Sequence, residues 1–123
     1  MNNVASWFEI PVTDMPRAKA FYQNLLQTTF KEESMGDYQM AIFTADDGAV
    51  SGMLMRGEHY QPSQTGAVVY LNGGEDLSVP LDRAVQHGGS VLMPKTPIHD
   101  GDCGYFALFL DSEGNRVGLY SRS

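Results

Sequence analysis

The chain is poor in the residues that staple, cleave or coordinate. It holds one cysteine, three histidines and one tryptophan in 123 residues. A lone thiol, Cys103, rules out an internal disulfide and fits a reducing compartment, so a cytoplasmic location is expected. Basic residues are scarce too: eight Lys and Arg stand against fifteen Asp and Glu, for a net charge of −7. Eight scattered cations make no stripe that could track phosphates, so nucleic acid is not an expected partner. No apolar run approaches the ~18 residues of a membrane span, and Met1-Asn2-Asn3 does not open a secretory signal; no membrane partner is expected either. There is no Ser nucleophile elbow, no Gly-rich phosphate loop and no dinucleotide fingerprint.

What is present is ordinary globular material, 42% apolar, at a length that suits one domain with its own core. The most open segment, RGEHYQPSQTG at 56–66, divides the chain into similar halves. Ala41-Ile42-Phe43-Thr44-Ala45-Asp46-Asp47-Gly48 matches Ala107-Leu108-Phe109-Leu110-Asp111-Ser112-Glu113-Gly114 at an offset of 66, which carries on to Gly52 with Gly118 and Met53 with Leu119. Near the starts of the halves the offset is 62, pairing Phe8 with Tyr70, Asp14 with Asp76 and Met15 with Leu77. Two registers in the right order mark a duplicated module.

The module reads as βαβββ. WFEIPV at 7–12 is strand-like. Asp14 can cap a helix whose first turn tolerates Pro16, and Met15, Ala18, Tyr22, Leu25 and Leu26 follow at helical spacing. Strands are expected over 30–35, 38–45 and 50–56, with Asp46-Asp47-Gly48 turning between the last two. The second half repeats this with a strand over 67–71, a helix over 77–87 closed by Gly88-Gly89, and strands over 91–93, 105–110 and 116–121. Module one is expected over about 6–56, a linker over about 57–66 and module two over about 67–121, within a single domain.

FEIPVTDMPRAKAFYQNLL at 8–26 and DSEGNRVGLYS at 111–121, set in paired βαβββ modules, resemble the vicinal oxygen chelate superfamily of glyoxalase I, extradiol dioxygenases and bleomycin-resistance proteins. The branch most resembled is the one described as predicted enzymes related to lactoylglutathione lyase. The resemblance implies an α+β fold with a curved, cup-like sheet, a small-molecule ligand in the cup and a homodimer. It also implies where a divalent metal would sit. The first-strand ligand lies seven residues before the helix-opening Asp, which points to Trp7 and Val69, and the last-strand ligands fall at or beside Gly52 and Gly118. None of these coordinates through its side chain, so no metal ligand is expected and no cofactor is assigned. A divalent metal recruited by other ligands is the alternative.

Other metal-type chemistry is thin. His59 falls in the linker, and His87 falls at a helix end, where the dipole favours it. His99-Asp100-Gly101-Asp102-Cys103 reads as a polar loop without repeating ligand spacing. Strand alternation with the implied cup selects Trp7 and Glu9 on the first strand. It selects Val50, Gly52, Leu54 and Arg56 on the fourth, Val69 and Leu71 as an apolar wall, and Arg116, Gly118 and Tyr120 on the last. Ligand-binding candidates are therefore Trp7, Glu9, Gly52, Leu54, Arg56, Val69, Gly118 and Tyr120. Trp7 would stack on the ligand, and Arg56 or Tyr120 would pair with Glu9. Glu9 is also the candidate acid/base, since a carboxylate facing a cup needs a partner or a raised pKa. The expected function is a glyoxalase-like small-molecule-binding protein. The alternatives are a metal-dependent or Glu9-assisted lyase, isomerase or dioxygenase-like enzyme, and an interaction domain whose dimer surface is its function.

Overall fold

The structure is a computed structural model, which describes residues 3–123. Its order is β1 (Glu9–Pro11), α1 (Met15–Leu26), β2 (Phe30–Met35), β3 (Tyr38–Phe43) and β4 (Met53–Arg56), then β5 (Tyr70–Asn72), α2 (Ser78–Gln86), β6 (Ser90–Pro97), β7 (Tyr105–Leu110) and β8 (Arg116–Ser121). The result is α+β, with two tandem βαβββ units. Each unit is a mixed four-stranded sheet, in orders β1-β4-β3-β2 and β5-β8-β7-β6, with one parallel pair at its β1 or β5 edge.

The helices form where the spacing of apolar residues predicts them. Met15, Ala18, Phe21, Tyr22 and Leu25 make a buried stripe on α1, and Asp14 caps it by accepting the Arg17 N–H at 3.0 Å. In α2 the stripe is Pro80, Leu81 and Ala84, and Gly88 ends the turn at φ 103°. Asp76, the counterpart of Asp14, accepts from the Ser78 hydroxyl and backbone N–H and from Lys95. The Ser78 bonds and then Lys95 hold its carboxyl down to about 2.

One apolar cluster joins both units. Ile10, Leu54, Ala41 and Phe43 from the first sheet meet Leu71, Leu119, Ala107 and Phe109 from the second, with the helices between. Phe21 of α1 reaches Phe109 of β7 at 6.1 Å between ring centroids. Each sheet therefore has a covered face and an open one. Several strand ends differ from expectation. β1 and β4 are shorter than 7–12 and 50–56, β5 starts at Tyr70, and β6 runs to Pro97 rather than stopping at Met93. β6 gains this length by two register irregularities against β7. Such bulges pass an irregular sequence through a ladder and also blunt an edge strand.

Candidate functional site

The open face of the first sheet is built by register. Glu9 lies beside Met53 and Pro11 beside Met55 across the parallel β1–β4 pair, while Met40 faces Met55 and Ile42 faces Met53 across β3–β4. Side chains of paired residues share a face, so Glu9 stands at the edge of a surface made largely of methionine. Met53 and Met55 are 8% and 9% exposed although the face is open. The chain after β4 shelters part of this face: Met35, Tyr38, Met40, Met55, Glu58, His59 and Tyr60 line a cavity of about 540 Å³. The Tyr38 and Tyr60 rings meet edge-on at 6.2 Å. The Tyr60 hydroxyl donates to Glu9 Oε1 at 3.0 Å, and this bond is the first cause of its raised pKa. The cavity thus has a soft apolar body and the Tyr60 phenol on its wall, and Glu9, outside the lining, accepts from that phenol. Methionine thioethers adapt to varied ligand shapes.

The sequence-selected residues are only partly brought together. Glu9 does face the open side. Gly52, Leu54 and Arg56 do not, because Glu9 pairs with Met53 and the alternation along β4 is the reverse of that expected. Leu54 is fully buried in the core under the helices, and a Cβ on Gly52 would run into the Phe8 ring. Arg56 donates from Nε to the Thr13 carbonyl at 3.1 Å rather than pairing with Glu9. Leu71 is buried in the core and Val69 packs against it, so they build no apolar wall in the second sheet's open face, but Val69 does line a smaller cavity together with Glu9. Trp7 precedes β1, is 46% exposed and does not line the methionine cavity. Gly118 and Tyr120 do share the open face of the second sheet. The Tyr70 ring covers Gly118, and the Tyr120 hydroxyl donates to the Cys103 carbonyl at 2.8 Å, away from Glu9. Sequence reasoning missed Tyr38, Met40, Met55 and Tyr60. The signal was Met53-Leu54-Met55, whose two methionines bracket a residue that had been turned outward.

Residues 4–119 match the Glyoxalase/Bleomycin resistance protein/Dioxygenase superfamily. The chain belongs to that superfamily. CFP32 of Mycobacterium tuberculosis is 27% identical over 120 residues, a match that takes in 94% of this chain and 44% of that protein. This superfamily member therefore spans less than half the length of that relative. A glyoxylase-like domain-containing protein of Didymella fabae is 29% identical over 132 residues and matches along 95% of this chain and 92% of its own. In fold, the chain is similar to an E144Q variant of glyoxalase I from Zea mays (TM-score 0.75, 19% identity, 94% of this chain and 46% of that one). It is also similar to a domain of the same family from Frankia (TM-score 0.74, 14% identity, 98% of both chains).

The superfamily implies a divalent metal on the open faces, and the donor set can be judged there. The paired first- and last-strand residues are Glu9 with Met53 in one sheet and Tyr70 with Gly118 in the other. One carboxylate, a thioether, a phenol and a glycine are not the His and carboxylate set that a hard or borderline divalent ion takes. Among the described residues no three His, Cys, Asp or Glu side chains come together at all. These residues do not fit the family ion, and no chemical step is derived through it.

Proposed function

We propose that this superfamily member is a small-molecule-binding protein that holds its ligand in the methionine-lined cavity of the first sheet. The single observation that carries the reading is that cavity. It is about 540 Å³, within the ~300–1,000 Å³ of small-molecule sites, apolar in body and polar at one end. The ligand has an apolar or aromatic body against Met40, Met55 and Tyr38, and a hydrogen-bonding group that reaches Tyr60, whose hydroxyl Glu9 holds. In this reading Glu9 orients the ligand through Tyr60 instead of serving as an acid or base, since Tyr60 already occupies one of its oxygens. A homodimer belongs to the same proposal, supported by Val91, Leu92 and Met93, three successive apolar residues 41%, 45% and 39% exposed on edge strand β6. So does a cytoplasmic location, supported by the exposed free thiol of Cys103. No helix among the described residues is long and apolar enough to cross a membrane.

The test is a fragment screen read on methionine methyl resonances of isotope-labelled protein, with chelator present throughout. Aromatic fragments carrying a hydroxyl or amide group are expected to shift the Met40 and Met55 methyls. Tyr60→Phe should weaken those fragments about fivefold, the worth of one ~1 kcal/mol hydrogen bond. Fragments that bind yet move neither methyl would overturn the reading. Sedimentation equilibrium showing only monomer at high concentration would remove the dimer.

A further inference from the structure

The eight Lys and Arg side chains sort sharply by partner. Arg17, Lys19, Lys31 and Lys95 pair with Glu113, Glu32, Glu33 and Asp76. Arg56 and Arg83 donate to the carbonyls of Thr13 and Leu25. Arg122 is exposed beside the last residue. Arg116 is the exception in being half-buried with no side-chain partner among the described residues. It stands at the first position of β8, and its Nε is buried without a hydrogen-bond partner. Among the described residues its guanidinium has no ion-pair partner either, in a chain with almost twice as many acids as bases. A buried charged donor left unpartnered costs free energy that a bound acceptor would recover.

Arg116 lines a cavity of about 220 Å³ at the seam where β1 meets the second unit. Glu9 lines the same cavity. Tyr60 donates to Oε1 of Glu9, and among the described residues Oε2 takes no hydrogen bond. The two opposite charges face one small space without pairing to each other. The seam is built and held. Asn115, 5% exposed, accepts the Ser63 N–H at 2.9 Å and donates to the Pro11 carbonyl at 2.7 Å, while the Arg116 N–H donates to the Ser63 carbonyl at 3.1 Å. The volume lies below the ~300 Å³ at which drug-sized pockets begin, so the ligand has few heavy atoms.

We infer that the seam cavity binds a small zwitterion of the α-amino-acid class, with its carboxylate on Arg116 and its ammonium on Glu9. A guanidinium takes a carboxylate through two parallel hydrogen bonds. A simple carboxylate would approach a chain of charge −7 against its field, whereas a zwitterion has no net charge to repel. A simple amine would meet the unpaired Arg116. The inference stands apart from the methionine cavity, with which the seam cavity shares no lining residue; Glu9 touches it only through the bond it accepts from Tyr60.

The experiment is calorimetric titration of the full chain with glycine, L-alanine and L-serine, against propionate and ethylamine as single-charge probes. At least one amino acid should bind, and more than about tenfold tighter than either single-charge probe. Arg116→Gln should lose that binding by about tenfold or more, and Arg116→Lys, which keeps the charge but not the fork, by less. Glu9→Gln should erase the preference for the amino acid over propionate. Circular dichroism melts confirm that each variant is folded, and Arg116→Lys with Glu9→Gln keeps the test open if Arg116→Gln is not. No amino-acid binding up to about 10 mM overturns the inference. So does equal affinity for propionate, or unchanged binding in the folded Arg116 variants. The fragment shifts at Met40 and Met55 are read separately, so either proposal can fail alone.

Discussion

Phe8 over Gly52 and Tyr70 over Gly118 are the same pair at repeat positions, each with an aromatic ring where the glycine's side chain would stand. Yet Phe8 lies on the covered side, 5.8 Å from Phe43, while Tyr70 lies on the open side, 6.3 Å from Phe106. The hairpins explain the difference. Ala41 pairs with Leu54 in one and Ala107 with Leu119 in the other, all four in the core. Ala107 lies 66 residues after Ala41, but Leu119 lies only 65 after Leu54. The β3–β4 connection therefore has one residue more, and one residue reverses every side chain that follows it in a strand. The first unit presents methionines on its open face, and the second presents Tyr70, a bare Gly118 and Tyr120. Duplication preserved the topology and left the two open faces free to diverge.

The connections themselves differ more strongly than the faces. The β7–β8 turn is a polar hub. Buried Asp111 accepts from the Tyr22 hydroxyl at 2.6 Å, from the N–H groups of Glu113 and Asn115 at 2.9 and 2.8 Å, and from the Asn115 amide at 3.1 Å. Burial first, then the charge of Asp111, push the Tyr22 hydroxyl well above its ordinary value, so it stays a donor. The β3–β4 turn is exposed, and Asp46 contributes to it only its carbonyl, which accepts from the Ala49 N–H at 3.0 Å. The largest effect that sharpens this contrast is Asp111→Ala. It strands a buried hydroxyl and several N–H groups, and should cost about 3–5 kcal/mol. Asp46→Ala should stay within about 0.5 kcal/mol. Urea unfolding of both variants is the check, and similar losses would dissolve the contrast.

A smaller effect comes from Glu113, whose side chain has no exposed surface. It accepts from Arg17 at 2.7 Å and from the N–H groups of Thr13 and Asp14, each at 2.8 Å, tying the second unit's turn to the start of α1. Burial alone would raise its carboxyl, but Arg17 and those N–H groups outweigh burial and hold it at about 2, below the 4.5 of a free glutamate. The folded pKa is the lower one, so the ionised form stabilises the fold. That stability is present above pH 4.5 and is lost as the pH falls toward 2. Glu113→Gln should cost about 2–3 kcal/mol at neutral pH, discounted for the half-exposed Arg17, and should flatten the acid limb. Chemical denaturation from pH 7 to pH 2 reads both; a variant that keeps the wild-type acid limb would place that linkage elsewhere.

How far the residues disclosed this architecture depends on the length of the signal. α1, with its cap and its stripe from Met15 to Leu25, needs only local spacing and was legible, as were β2, β7 and β8. The duplicated βαβββ order was legible because core positions such as Ala41 and Ala107 repeat. Glu9 on an open face followed from alternation within one strand. The error was in the next strand over. Alternation cannot say which residue of β4 lies beside Glu9, since that depends on how many residues the 44–52 connection absorbs. The matching Gly52 and Gly118 suggested equal lengths, and so Leu54 and Arg56 were turned outward and Met53 and Met55 inward. The Tyr60–Glu9 bond spans 51 residues from an irregular segment, for which no periodicity exists to be read.

The two glycines give the smallest effect and the most direct test of the reversed faces. A Cβ on Gly52 meets the Phe8 ring, which is half-buried against Phe43 and has little room to move. Gly52→Ala should therefore overpack the covered side and cost about 1–3 kcal/mol. A Cβ on Gly118 meets the Tyr70 ring, which is 50% exposed and can swing toward solvent. Gly118→Ala should cost less than about 1 kcal/mol, and that cost should vanish when Tyr70→Ala removes the ring. In the first unit, Phe8→Ala should not rescue Gly52→Ala in the same way, because it opens a hole beside Phe43 that costs as much as the overlap it relieves. Equal costs for the two glycines, or equal rescue, would mean that both rings lie on the same kind of face and that the extra residue in the β3–β4 connection changes nothing.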